Sequence, residues 1–206
     1  VVAALAGGIS GVMFAYSPDL PEVSTLDDYA PSTITRVYAA DGEEIGQFAT
    51  ERRVIIDYDD IPEVLRQAII SSEDASFFSH FGLNMRRLAI TVIENILRQR
   101  RRGASTLTQQ LARHVSLDGA APLGMEKFWS RKINEAILTI QIEKRYTKRE
   151  ILTLYCNQMY LGSGAYGVEA ASRLYFGKPA VELELAEAAL IAGIFQNPGR
   201  QSPLLN

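Results

Sequence analysis

From Pro62 onward, this chain of 206 residues repeats its apolar side chains at steps of three and four, and that feature limits its fold most. Such a period lays one apolar stripe along a helix, whereas a half-buried strand needs strict alternation. "PEVLRQAIISSE" opens with Pro62 near its first turn. "NMRRLAITVIENILRQRRR" offers Asn84 as a cap and apolar residues at 85, 88, 92 and 96. "STLTQQLARHV" repeats apolar residues at 107, 111 and 115, and "MEKFWSRKINEAILTIQIEKRY" is long and periodic. "TKREILTLYCNQMY" opens with a capping-box pair, Thr147 and Glu150. "VEAASRLYFG" and "ELELAEAALIAGIF" follow, and Asn197-Pro198-Gly199 is expected to end the last helix. The expected class is mainly α, with a small β element before Pro62.

That β element spans 33–60. Its β-branched and aromatic runs break at Asp41-Gly42, a hairpin signal. Residues 18–32 hold three of the prolines and read as a linker. Residues 1–17, "VVAALAGGISGVMFAYS", carry no charge and fall just short of a full span. They read as the end of a transmembrane anchor in a chain cut from a longer one, since the first residue is Val; a signal-peptide core and a buried helix are the rival readings. The flank after them is acidic and lacks Lys and Arg, which places it away from the cytoplasm.

Composition excludes several classes. The net charge of −3 argues against general nucleic-acid binding, and 22% charged with 47% hydrophobic residues is not a disordered composition. One cysteine, Cys156, allows no internal disulfide, and with two histidines it makes a His/Cys zinc site implausible. Charge is uneven along the chain: residues 84–116 hold seven Arg against the single Glu94. Such a run is either a solvated helix face or a surface for an anionic partner. "GSGAYG", residues 162–167, matches a dinucleotide-binding pattern in letters only. That site needs a preceding strand within a parallel α/β unit, so an interhelical turn with close-packing glycines is expected instead.

Two places point to chemistry. In the long helix, Ile133, Ile137 and Ile140 form one stripe, while Phe128, Arg131, Glu135, Leu138 and Ile142 form another. Arg131 and Glu135 thus lie within apolar surface and must pair or meet a ligand, with Lys132 in reach. In "SSEDASFFSHFG", Glu73 and Asp74 are adjacent, so on a helix they face different ways. One is free to enter a cleft while the other ties down the loop that follows. A carboxylate beside Phe77 and Phe78 is partly desolvated, which suits proton transfer. Two carboxylates on a helical frame suggest glycosyl chemistry, and the nearby cations favour transfer from a sugar diphosphate over hydrolysis.

These residues resemble the peptidoglycan glycosyltransferase domain of class A penicillin-binding proteins and their monofunctional relatives. The motif E-D-x-x-F-x-x-H-x-G reads as Glu73, Asp74, Phe77, His80 and Gly82. G-x-S-T-x-T-Q-Q reads as Gly103, Ser105, Thr106, Thr108, Gln109 and Gln110, and R-K-x-x-E as Arg131, Lys132 and Glu135. The fourth stretch, residues 148–178, includes Tyr155, Asn157, Tyr160 and Gly162.

The resemblance implies a lysozyme-like, two-lobed helical fold over 61–206 with the hairpin before it. It implies Glu73 as general base and Glu135 as the second catalytic carboxylate, orienting the basic residues and substrate or a divalent ion. It implies substrate contacts from Asp74, Phe77, His80, Gly103, Ser105, Thr106, Thr108, Gln109, Gln110, Arg131, Lys132 and Asn157. Arg113 stands where many relatives carry Lys, so its contact with the diphosphate is carried over with a change of geometry. The implied partners are lipid II, the nascent glycan strand and membrane lipids, and no nucleic acid. A C-terminal transpeptidase domain, absent from this chain, and other cell-wall synthesis proteins are further expected partners. No cofactor is required by the sequence, and a divalent cation (Mg or Mn) is compatible with it. The implied location is the bacterial cytoplasmic membrane, with the catalytic domain on the extracytoplasmic side. A lytic enzyme and a non-catalytic wall-binding module are the rival readings.

Overall fold

Ile61, Leu65 and Ile69 recur on one face and are fully buried, and around them the first helix is built. The computed structural model describes residues 35–42, 44–48, 52–98, 105–117 and 125–204. The expected anchor and linker, residues 1–32, lie outside them. No helix among the described residues is long and apolar enough to cross a membrane.

Strands β1 (Thr35–Tyr38) and β2 (Glu44–Phe48) form the expected antiparallel hairpin, with a register shift between Val37 and Tyr38. Strand β3 (Arg52–Arg53) leads to a 3₁₀ turn at Tyr58–Asp60 and then helix α1 (Glu63–Glu73), with Pro62 at its N-cap. Helix α2 (Met85–Arg98) is capped as expected, Asn84 Oδ1 accepting from the Arg87 amide at 2.8 Å. Helices α3 (Leu107–Leu117), α4 (Met125–Arg145) and α5 (Lys148–Gln158) follow. The two-residue strand β4 (Ala165–Tyr166), α6 (Val168–Phe176), α7 (Leu185–Ile194) and the single turn α8 (Pro198–Gln201) complete the described chain. The class is mainly α.

Two expectations are corrected here. Pro198 does not end the last long helix. α7 stops at Ile194, and Pro198 begins α8, where its missing N–H costs nothing at the first helical position. The "GSGAYG" stretch is more than a turn, because it contains β4, which pairs in parallel with β3 through Arg52–Ala165 and Arg53–Tyr166. The strand lies inside the glycine pattern instead of before it, so a dinucleotide-type loop does not form. Gly167 has φ +83°, and a Cβ there would sit 2.7 Å from the Asn157 carbonyl oxygen, so only glycine allows this approach.

The described chain falls into two compact units. One contains His80–Thr147, where α3 packs on α4 over Leu107, Leu111, Ala112, Leu138 and Ile142. Each such buried Leu or Ile side chain is worth about 1.5–3 kcal/mol over leaving it exposed. The other joins Ala30–Ser79 to Lys148–Asn206, where α1 packs on α7. Within this second unit the segment from β3 onward has long-range partners. Residues 52–56 are tied to the C-terminal part of the chain by the β3–β4 pair and by Asn157, whose amide donates to the Ile56 carbonyl (2.9 Å) and accepts from the Ile56 N–H (3.1 Å).

Cys156 is fully buried in α5, and burial pushes its thiol up to about 12. A thiol reacts as thiolate, so the native protein is expected to resist iodoacetamide at pH 8 and to label on unfolding. Mass spectrometry of the alkylated protein checks this, and rapid native labelling would contradict the burial.

Candidate active site

Glu135 is fully buried in the middle of α4, with three cations on its two oxygens. Arg131 Nη1 donates to Oε1 at 2.8 Å from one turn earlier on the same helix. Lys132 Nζ donates to Oε2 at 2.7 Å. From α3, Arg113 donates Nε to Oε1 at 2.8 Å and Nη2 to Oε2 at 3.4 Å, a two-armed contact across the helix pair. The same Nη2 reaches Ser105 Oγ at 3.3 Å. Burial alone would raise the Glu135 carboxyl. The hydrogen bonds and charges of Arg113 and Lys132 outweigh it and hold the group below the ordinary Glu range.

The three cations are not consumed by this carboxylate. Their side chains keep 34%, 34% and 28% exposure for Arg113, Arg131 and Lys132, while Glu135 keeps 0%. One buried carboxylate thus gathers three cationic side chains that each keep part of their surface exposed, an arrangement suited to an anion with several oxygens. A divalent cation does not fit at Glu135, because both oxygens are already occupied by cations. No cluster of three or more His, Cys, Asp or Glu suited to a metal occurs among the described residues.

The second motif does more local work than expected. Thr106 and Gln109 form a reciprocal cap at the start of α3: the Thr106 N–H donates to Gln109 Oε1 (3.0 Å), and the Gln109 N–H donates to Thr106 Oγ1 (3.2 Å). The sequence signal was available, since Thr-x-x-Gln before a helix is a capping box. The Thr106 hydroxyl also donates to the Gly82 carbonyl at 2.5 Å. Thr108 is fully buried and donates to Glu143 Oε1 at 2.5 Å. Thr106 and Thr108 make these hydrogen bonds within the protein. Gln110 is half-buried on α3, and Gly103 lies outside the described residues.

Glu73 belongs to the other unit. It is the last residue of α1 and half-buried. Asp74 caps that helix with fully buried side chain, and the Asp74 carbonyl accepts from the Phe77 N–H at 2.9 Å. Phe77 is buried, with the Lys148 ammonium 4.4 Å from its ring centre, while Phe78 is 56% exposed and meets Phe77 edge-on. The two adjacent carboxylates thus differ in burial: Asp74 is fully buried and Glu73 half-buried. Tyr155, stacked on Phe195 at 5.0 Å, was not among the expected site residues. Burial raises its phenol well above the ordinary range, and the Glu73 carboxylate raises it further. His80 and Gly82 fall in the unit of Glu135, so the first motif contributes to both units. Asn157 uses its amide on the Ile56 backbone, so its place is a clamp on the β3 segment.

Within the His80–Thr147 unit, a buried carboxylate thus carries partly exposed cations, an arrangement suited to meeting a phosphorylated leaving group. Comparison with known proteins agrees: a family model described as transglycosylase matches residues 41–206. Penicillin-binding protein 1A of Neisseria lactamica is 40% identical over 201 residues, covering 97% of this chain and 24% of that protein. Penicillin-binding protein 1A of Pseudomonas aeruginosa is 40% identical over 198 residues, covering 96% and 23%. A crystal structure of penicillin-binding protein 1A from Haemophilus influenzae covers 86% of this chain and 16% of that one at 24% identity, with a TM-score of 0.45, too low to add to the fold argument. This chain belongs to the transglycosylase family, the one its motifs resemble. It spans about a quarter of the length of the curated relatives it matches.

Proposed function

We propose that this chain polymerises lipid II into β-1,4-linked glycan, with inversion at the anomeric carbon and release of undecaprenyl diphosphate. The observation that carries the reading is the Glu135 cluster, where three partly open cations share one buried carboxylate. A hydrolase must protonate a poor leaving group, whereas a diphosphate leaves well if its growing charge is met. Arg113, Arg131 and Lys132 meet that charge as the glycosidic bond breaks, so they act mainly in the transition state. Glu73 takes the proton from the GlcNAc 4-hydroxyl, whose oxygen then attacks the anomeric carbon of the growing strand from the face opposite the diphosphate. Glu135 keeps the cations aimed and does not touch the proton. The substrate's lipid tail places the reaction at the outer face of the cytoplasmic membrane, with a transpeptidase domain and other cell-wall synthesis proteins as partners.

The test is to incubate the detergent-solubilised full-length protein with lipid II, then separately with isolated cell wall. Glycan polymer on a gel, with no soluble fragments released from the wall, is the expected result. Soluble fragments without polymer would establish a lytic enzyme. Wall binding with neither product would establish a binding module.

A further inference from the structure

Glu143 lies two turns beyond Glu135 on α4, and the glycosyl-transfer chemistry gives it no role. Its carboxylate accepts the hydroxyl of the buried Thr108 at 2.5 Å, across the α3–α4 contact. Gly82 rests on the same spot. With φ +70°, it lies so close to α4 that a Cβ would stand 2.5 Å from Thr139 Cγ2 and 2.8 Å from Glu143 Cγ. The Gly82 carbonyl in turn takes the Thr106 hydroxyl. The end of the first motif and the start of the second are thus both seated on Thr139 and Glu143. Thr139 itself donates to the Glu135 carbonyl at 2.6 Å, one turn away.

Two polar ties between the described parts of α3 and α4 stand out. One is Arg113–Glu135, the other Thr108–Glu143. The ties are five residues apart on α3 and eight on α4, roughly 7.5 and 12 Å along the respective axes. Between them lie Leu111, Ala112 and Leu138, all buried apolar side chains whose attraction is non-directional, so they tolerate small rotations better than a hydrogen bond does. Two directional ties therefore hold the rotation of α3 more tightly than one would. The two-armed contact of Arg113 with Glu135 is the feature most sensitive to such a turn.

We propose that Glu143 is a positioning residue: through Thr108 it locks the register of α3 on α4 and so aims Arg113 at Glu135 and the leaving diphosphate. The inference rests on the glycosyl-transfer reading for its kinetic consequence but not for its structural one. In the full-length protein, Thr108→Val removes the hydroxyl while keeping shape, and Thr108→Ser keeps the hydroxyl. Displacing a positioned group by about 1 Å costs on the order of 10²-fold, so Thr108→Val should lower kcat for lipid II by about 10- to 100-fold, with KM within about 2-fold. Thr108→Ser should recover most of the loss, and Glu143→Gln, which keeps a carbonyl acceptor, should lose less than Glu143→Ala.

A purely structural role would not couple to Arg113. In an Arg113→Ala background, Thr108→Val should change kcat by less than about 2-fold, because the group it aims is gone. Equal losses with and without Arg113, or a wild-type kcat in both Thr108→Val and Glu143→Ala, overturn the proposal. A readout independent of activity is solvent exchange of the Arg113 Nε–H, followed by ¹⁵N NMR. It should be slow in the wild type and accelerated in Thr108→Val, and unchanged exchange overturns the inference whatever the activity. Should Thr108→Val lose its helical circular dichroism, Thr108→Ser and Glu143→Gln carry both measurements. A wild type that makes no polymer removes the function proposed above, and the exchange measurement still decides this one.

Discussion

Glu73→Gln is expected to lower lipid II polymerisation by about 10²- to 10⁴-fold, the usual cost of losing a general base. Glutamine keeps the length and planarity of the side chain at the end of α1 but cannot accept the acceptor's proton. The loss should fall on kcat, because the hydroxyl is still held while its deprotonation is not assisted. Folding should change little, since Glu73 is half-buried at a helix terminus while its neighbour Asp74 is the fully buried carboxylate. A second signature follows from Tyr155, whose phenol is raised by burial and by the Glu73 carboxylate. Removing that charge should let the phenol titrate at lower pH, which ultraviolet difference titration follows. Polymerisation within a few-fold of wild type in a normally folded Glu73→Gln protein would remove Glu73 from the catalytic role.

Local rules made much of this molecule readable, and most of the exceptions share a cause. The helices follow from apolar periodicity, the hairpin from Asp41-Gly42, and the α2 cap from Asn84. The Arg131–Lys132–Glu135 cluster was visible because i, i+3 and i, i+4 neighbours must meet on a helix. What escaped was non-local. The β3–β4 pair joins two strands of two residues each, too short for any period, and Asn157 meets Ile56 from 101 positions away. Nothing in "IEKRYTK" announces that Glu143 will take the Thr108 hydroxyl 35 residues upstream. The Thr106–Gln109 cap, by contrast, is local, and its Thr-x-x-Gln spacing is legible in the sequence.

Glu135→Gln should show whether the cation cluster serves chemistry or only the fold. The carboxylate is buried, and breaking a buried ion pair costs about 3–5 kcal/mol when a charge is left buried. Here the charges left behind are about one-third exposed and can regain water, so the loss should fall toward or below the low end of that range. The pH dependence has a definite sign. The folded-state carboxyl lies below its unfolded value, so its contribution is fully present above the ordinary Glu pKa of about 4.3 and is lost as pH falls through the folded value. Melting temperature should therefore fall less steeply below about pH 4.3 in Glu135→Gln than in wild type. Activity at neutral pH should drop on the order of 10²- to 10³-fold, the scale of losing preorganised electrostatic stabilisation, because Arg113, Arg131 and Lys132 no longer share an anchor. The two readouts separate the alternatives. Lower stability with full activity in the folded fraction would make Glu135 a structural ion pair. Lost activity in a protein that remains folded at the assay temperature would place it in the transition-state machinery, since the cations would still be present and only their aim would have changed.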